Sequence, residues 1–364
     1  METNHIQSPG KTSSRSLRYG MLALLILLCS FPTWAEKQEF TKKKEFNKSF
    51  NASKNDLVEV DNRFGNITIT YWNKNEVSIR VVVEAKARNA ERAQAYIDRV
   101  NIEMEKSGNT ISAITSLTKN MNGGSNESFS INYYINMPSG ITCDLNQKYG
   151  NINMPENNAG KCMLHTKYGN VNGGSFSGSL EIETQYGNID ITDIKGGEFD
   201  LSYGNAKINN ATAAYIESKY SNVNIGQIDK LEMDIKYGNF EIGNINKGDL
   251  EVKYSQGNIR YLKNELSLDA LSYSTVNILE LSAKFGSINV DAHYGNLDIK
   301  IPSDASFRVV AEDMKYGDFN IRGFNISRSH VEDKVNHTTE VNGGRDGKIY
   351  FSGNNYGNLN IITK

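Results

Sequence analysis

The sequence predicts an all-β chain folded as a single-stranded parallel β-helix, a solenoid of about 17–19 residues per coil, with an N-terminal β cap carrying one short α-helix. Three observations predict it. A Tyr-Gly-Asn triplet recurs, its copies are almost evenly spaced, and apolar residues stand two apart on each side of every copy.

The triplet occurs at Tyr149-Gly150-Asn151, Tyr168-Gly169-Asn170, Tyr186-Gly187-Asn188, Tyr203-Gly204-Asn205, Tyr237-Gly238-Asn239, Tyr294-Gly295-Asn296 and Tyr356-Gly357-Asn358. Worn copies stand at Phe64-Gly65-Asn66, Tyr220-Ser221-Asn222, Tyr254-Ser255, Tyr273-Ser274-Thr275, Phe285-Gly286-Ser287 and Tyr316-Gly317-Asp318. From Tyr149 to Tyr273 the steps are 19, 18, 17, 17, 17, 17 and 19 residues. A fixed short period marks stacked units, none of which can bury its apolar face alone.

Four residues before the tyrosine stand Leu145, Leu164, Ile182, Phe199, Ile216, Met233 and Leu250, and three after it Ile152, Val171, Ile189, Ala206, Val223 and Phe240. Five after it stand Met154, Ile191, Ile208, Ile225, Ile242, Ile278, Val290 and Ile299. Alternation of this kind reads as strand, corner, strand. Glycine enters left-handed backbone space freely and asparagine tolerates it, so Gly-Asn is expected to make the corner. The tyrosine has inward parity, which places its ring at the core edge with the hydroxyl reaching water or backbone. Ser221, Ser255 and Ser274 replace the glycine, so a positive φ at that position is not required in every coil.

Stacked coils turn each column of the repeat into a ladder. Glu183, Asp200, Glu217, Asp234 and Glu251 form an outward acidic column. Lys148, Lys167, Lys219, Lys236, Lys253, Lys284 and Lys315 form a lysine column beside it. Opposite charges on one sheet face are mutually stabilising, so the pair reads as a solvated, self-neutralising surface.

Along the chain, residues 1–35 read as a secretory signal peptide: a basic region to Arg18, an apolar run Met21–Leu28 too short to span a bilayer, and cleavage near Ala35. Cys29 raises a lipoprotein signal, but the bulky Leu28 before it disfavours lipidation. Residues 36–120 form the β-rich capping region, in which Ala93, Tyr96, Ile97 and Val100 predict a helix at about 90–100 behind the N-cap Asn89. Residues 121–127 read as a polar loop, and residues 128–364 as the β-helix, interrupted by a loop at about 327–348.

Cys143 and Cys162 both lie six residues before a tyrosine, so adjacent coils stack them inside as a pair. Export permits a disulfide, whereas parallel strand spacing holds the Cβ atoms farther apart than a disulfide prefers, so both states stay open. A net charge of −2 gives no electrostatic reason for nucleic-acid binding. No His-Glu-x-x-His, nucleophile elbow, phosphate loop or calcium nonapeptide is present, and no cofactor or metal is expected. His165 shares the acidic column and reads as a surface residue. Asp200, Glu217 and Asp234 are the carboxylates a β-helical polysaccharide lyase or hydrolase would need, although short loops leave little to hold a sugar.

The Tyr-Gly-Asn coils after a signal peptide, the strands before the helix and the closing Tyr356-Gly357-Asn358-Leu359-Asn360-Ile361 resemble a family of bacterial envelope proteins known as putative adhesins. These are auto-transporter-adhesin-like domain-of-unknown-function proteins common in Bacteroidetes, and the resemblance spans about residues 40–364. It implies a β-helical fold and carries over no catalytic residues. The resulting expectation is a non-enzymatic exported protein of the periplasm, outer membrane or cell surface, binding glycan or envelope partners. The alternatives are a carbohydrate-active enzyme and an envelope-stress or assembly factor.

Overall fold

The computed structural model describes residues 39–118 and 127–364. The signal segment, Cys29 and nearly all of the polar loop at 121–127 lie outside the described residues. What remains is a parallel β-helix, and all seven aliphatic or aromatic residues four before the tyrosine, Leu145 to Leu250, are buried. The columns three and five after it are buried as well. Packing is coil on coil: the Phe240 ring fills the space where a Cβ on Gly257, its register partner, would lie 1.9 Å away.

The N-terminal elements are β1 (Phe40–Asn51), β2 (Leu57–Arg63), β3 (Ile67–Tyr71), β4 (Glu76–Ala87), α1 (Ala90–Ile97), β5 (Val100–Ser107), β6 (Thr110–Leu117), β7 (Ser128–Met137), β8 (Thr142–Lys148) and β9 (Ile152–Asn153). The Asn89 side chain caps α1 by accepting from the Arg92 N–H at 2.8 Å. The helix is shorter than the expected 90–100. It stops at Ile97, and Val100 opens β5, because Val100 and Ile102 alternate inward in an antiparallel pairing with β6. Helix α1 buries Ala93, Tyr96 and Ile97 against β1 and β4.

Both ends depart from simple stacking in chain order. At the N-terminal end, β2 pairs in parallel with β8 on one side and β6 on the other, while β3 pairs with β9 and β7. The coil at 57–71, inside the segment expected to be only a cap, is thus a full inner coil. Strands β6 and β7 lie outside it. At the C-terminal end Gly347–Ser352 and Asn358–Thr363 insert between Ser287–Ile301 and the earlier strands Phe307–Glu312 and Phe319–Arg322. In each case antiparallel strands cover the outermost coil: β4 on β7, and Asn336–Val341 on Phe307–Glu312. Such a cover matters because an uncovered terminal coil would leave a row of unpaired backbone groups.

The segment expected as a loop at 327–348 is a β-hairpin, Ile326–Glu332 against Asn336–Val341. Its polar composition reflects exposure rather than irregular backbone: every residue of Ile326–Glu332 is exposed, so no inward alternation marks it as a strand. Cys143 and Cys162 are buried register partners with free thiols.

Candidate functional site

The triplet tyrosines converge on one corner of the solenoid and form an aromatic ladder. In spatial order the rings are Phe64, Tyr149, Tyr168, Tyr186, Tyr203, Tyr220, Tyr237, Tyr254, Tyr273, Tyr294, Tyr356 and Tyr316. Neighbouring centroids are 4.8–5.2 Å apart and ring planes are within 21° of parallel. At about 4.8 Å per coil the ladder is on the order of 55 Å long. The tyrosines of the ladder are 41–55 % exposed.

This corrects the expected corner in two respects. The left-handed residue is the tyrosine, with φ between 50° and 63° at every ladder tyrosine from Tyr149 to Tyr294 and at Tyr356. A left-handed residue breaks the strand alternation, which turns the ring outward instead of to the core edge. Left-handed backbone costs a non-glycine residue about 1–2 kcal/mol, and an offset-stacked aromatic pair contributes about 0.5–1.5 kcal/mol beyond area burial. With two stacking neighbours, an interior ring offsets its own strain.

The glycine serves close approach between coils. A Cβ on Gly169 would lie 1.8 Å from the Gly150 carbonyl oxygen, on Gly187 1.7 Å from that of Gly169, and on Gly204 1.8 Å from that of Gly187. Serine substitutes by a different hydrogen-bonding arrangement. The Ser221 Oγ accepts from the Gly204 N–H at 3.1 Å and donates to the Lys219 carbonyl at 2.8 Å. Ser255 and Ser274 repeat this arrangement.

The asparagines form a second ladder beside the rings. The Asn170 Nδ2 donates to Asn151 Oδ1, Asn188 to Asn170, Asn205 to Asn188, Asn222 to Asn205 and Asn239 to Asn222, at 2.8–3.1 Å. The run breaks at Gln256 and resumes with Asn296 donating to the Thr275 hydroxyl at 3.1 Å and Asn358 donating to Asn296 at 2.6 Å. Sequence reading assigned these residues only to the turn; their fixed column was the available signal for a ladder. On the other flank, Lys148, Lys167 and Lys315 place their ammonium groups 5.2–5.6 Å from the centroids of Tyr149, Tyr168 and Tyr316. Each is a cation–π contact of about 0.5–1 kcal/mol at an exposed site.

The acidic column stands as expected, with Glu183, Asp200, Glu217, Asp234 and Glu251 in successive register. Lys236 pairs with Asp234 at 2.7 Å and Lys253 with Glu251 at 2.5 Å. Burial, followed by the Glu183 and Glu217 charges, holds the Asp200 carboxyl above the usual carboxylate range. His165 lies between Asp144 at 3.8 Å and Glu183 at 3.4 Å on this open face. Among the described residues, no group of three or more His, Cys, Asp or Glu side chains is arranged to hold a metal ion. None of the helices there is long and apolar enough to cross a membrane.

The family model described as Toastrack DUF4097 matches residues 36–360. No curated protein matches the chain. Solved structures similar to it include the following three. A putative cell adhesion protein from Clostridium sporogenes is 14 % identical, covering 89 % of this chain and 100 % of its own, with a TM-score of 0.21. A putative adhesin from Bacteroides fragilis is 14 % identical over 71 % of this chain and 98 % of its own, TM-score 0.33. A putative lipid binding protein from Parabacteroides distasonis is 12 % identical over 71 % and 94 %, TM-score 0.32. At these identities and TM-scores the likeness carries nothing about ligand or activity.

Proposed function

This chain belongs to the Toastrack DUF4097 family, and from that premise we propose that it is a non-enzymatic binding scaffold of the bacterial cell envelope, exported after cleavage near Ala35 and presenting an adhesive edge to glycan or envelope-protein partners. The observation that carries the reading is the unbroken, exposed tyrosine ladder. Ring faces are spent on one another, so a partner meets ring edges and phenol hydroxyls, one set per coil. The asparagine amides lie along one flank and the lysines along the other. Such an edge offers a phenol hydroxyl at each tyrosine step, which suits an extended, repetitive partner rather than a small substrate.

One observation favours a carbohydrate-active enzyme instead: Asp200 is held above the usual carboxylate range between Glu183 and Glu217. These groups sit in one outward register column, and Glu217 is already engaged by the Tyr215 hydroxyl at 2.8 Å.

The test is capture of glycans and of envelope extracts by the exported protein, run beside turnover assays on acidic polysaccharides. Binding without product release supports the scaffold. Turnover abolished by Asp200→Ala or Asp234→Ala replaces it with the enzyme. Stoichiometric recovery of a single membrane protein, with no glycan bound, supports an assembly factor instead.

A further inference from the structure

A second feature runs along the solenoid on a different edge, seven to eight residues before each tyrosine, and neither the triplet nor the ladder accounts for it. It is an open groove of about 930 Å³ reaching from Ser177 to Asn289. Between its walls runs the register column Gly197, Ala214, Leu231, Gly248 and Leu266. A Cβ on Gly196 would meet nothing within 4 Å. One wall is Glu198, Tyr215, Glu232 and Asp249 in successive register; the other is the column Gly196, Ala213, Lys230, Lys247 and Glu265, low at its first two residues and charged at the last three, with Lys195 beside it.

Tyr215 is the aromatic residue lining this groove, and it differs from the ladder tyrosines. Its hydroxyl donates to Glu217 at 2.8 Å, which fixes the ring, and among the described residues no other ring stacks on it. The residue is 38 % exposed. The charges nearly cancel: the lining holds three lysines and four carboxylates, and Lys247 is already paired with Glu265, its own register partner, at 2.9 Å. A polyanion would meet the carboxylate wall, and a polycation the lysines. An uncharged chain of hydroxyls meets neither penalty, donating to the carboxylates and accepting from the ammonium groups. The wall of Glu198, Tyr215, Glu232 and Asp249 adds one polar side chain per coil, about every 4.8 Å, so the occupant is a chain aligned with the axis.

We propose that this groove binds a linear, uncharged glycan strand lying along the solenoid axis, with one sugar ring stacked on Tyr215 and its hydroxyls bridging the acidic and lysine walls. The proposal rests on the binding-scaffold reading and adds to it a site separate from the tyrosine ladder.

The experiment is titration of the full exported chain with neutral linear gluco-oligosaccharides, α- and β-linked, with oligogalacturonate and chitosan oligomers as charged probes. Gly196→Trp puts a large ring into the groove at a position where an added Cβ meets nothing within 4 Å. Tyr215→Ala removes the stacking face from an exposed position. Each is expected to weaken neutral-oligosaccharide binding about tenfold or more, the equivalent of losing one aromatic contact. Circular dichroism and Tm should not change, and affinity should be insensitive to salt. Full binding by both variants, or binding of the charged probes alone with loss at high salt, overturns the groove. If binding vanishes in ladder variants and survives in Gly196→Trp, the groove fails while the scaffold stands. If the wild-type chain captures no probe and no envelope partner, both fail.

Discussion

The Tyr356 ring lies on that of Tyr294, centroids 5.1 Å apart, although Tyr316 is nearer to Tyr294 in the chain. The C-terminal segment is therefore an inner coil. Asn358–Thr363 is hydrogen-bonded on both sides, to Asn296–Ile301 and to Phe319–Arg322. Deleting residues 356–364 should free both neighbours at once. Limited proteolysis with mass spectrometry is expected to show new cleavage between 302 and 346 and a resistant fragment ending near 301. A truncated chain as protease-resistant as wild type would contradict this topology.

Two glycines separate close approach from mere flexibility. Gly187→Ala puts a methyl group 1.7 Å from the Gly169 carbonyl oxygen of the preceding coil. Overpacking of this kind is expected to cost about 3 kcal/mol or more. Gly196→Ala meets open space and should be neutral or stabilise by up to about 1 kcal/mol through the unfolded chain. Denaturant titration of the two variants decides it.

The ladder inverts the usual rank of alanine and glycine. Tyr220→Ala loses two stacking contacts, about 1–3 kcal/mol, and keeps a left-handed residue at φ 52°. Tyr220→Gly loses the same contacts and relieves about 1 kcal/mol of backbone strain. The glycine variant should thus be the more stable of the two. The opposite order would mean that the corner strain is not at the tyrosine.

The acidic columns should make the protein more stable in mild acid. Asp200, through burial and then Glu183 and Glu217, and Asp249, through burial and then Asp269, bind a proton at higher pH when folded than when unfolded. Stability contributed by protonation is then complete below the ordinary carboxylate range and lost as pH rises toward neutrality. Tm should rise as pH falls from 7 toward that range. Asp200→Asn should be as stable as wild type at pH 7, or more stable by a few tenths of a kcal/mol given its solvent exposure, and should flatten the profile.

What the sequence made legible was whatever repeats with the coil. The columns of Leu145, Ile152 and Ile191 and their counterparts show alternation and period together, and all are buried. Alternation failed at the tyrosine because a left-handed residue resets which face the next side chain takes. Stacking order at the ends was illegible because Tyr316-Gly317 and Tyr356-Gly357 are equivalent as sequence, and only pairing decides which lies inside. The hairpin at 326–341 escaped because a strand exposed on both faces carries no period. The groove escaped because Gly196 and Ala213 look like connecting residues until register sets them side by side.

The central claim is that the phenol hydroxyls of the ladder are a binding edge, and the most direct measurement changes only those. Tyr203→Phe, Tyr220→Phe and Tyr237→Phe combined keep every stacked ring, as Phe64 does on Tyr149 at 5.2 Å and 7°. Quantitative capture of envelope glycans and proteins by wild type and this variant, at matched Tm, should show a partner retained by the first and lost by the second. Equal capture by both would contradict the claim.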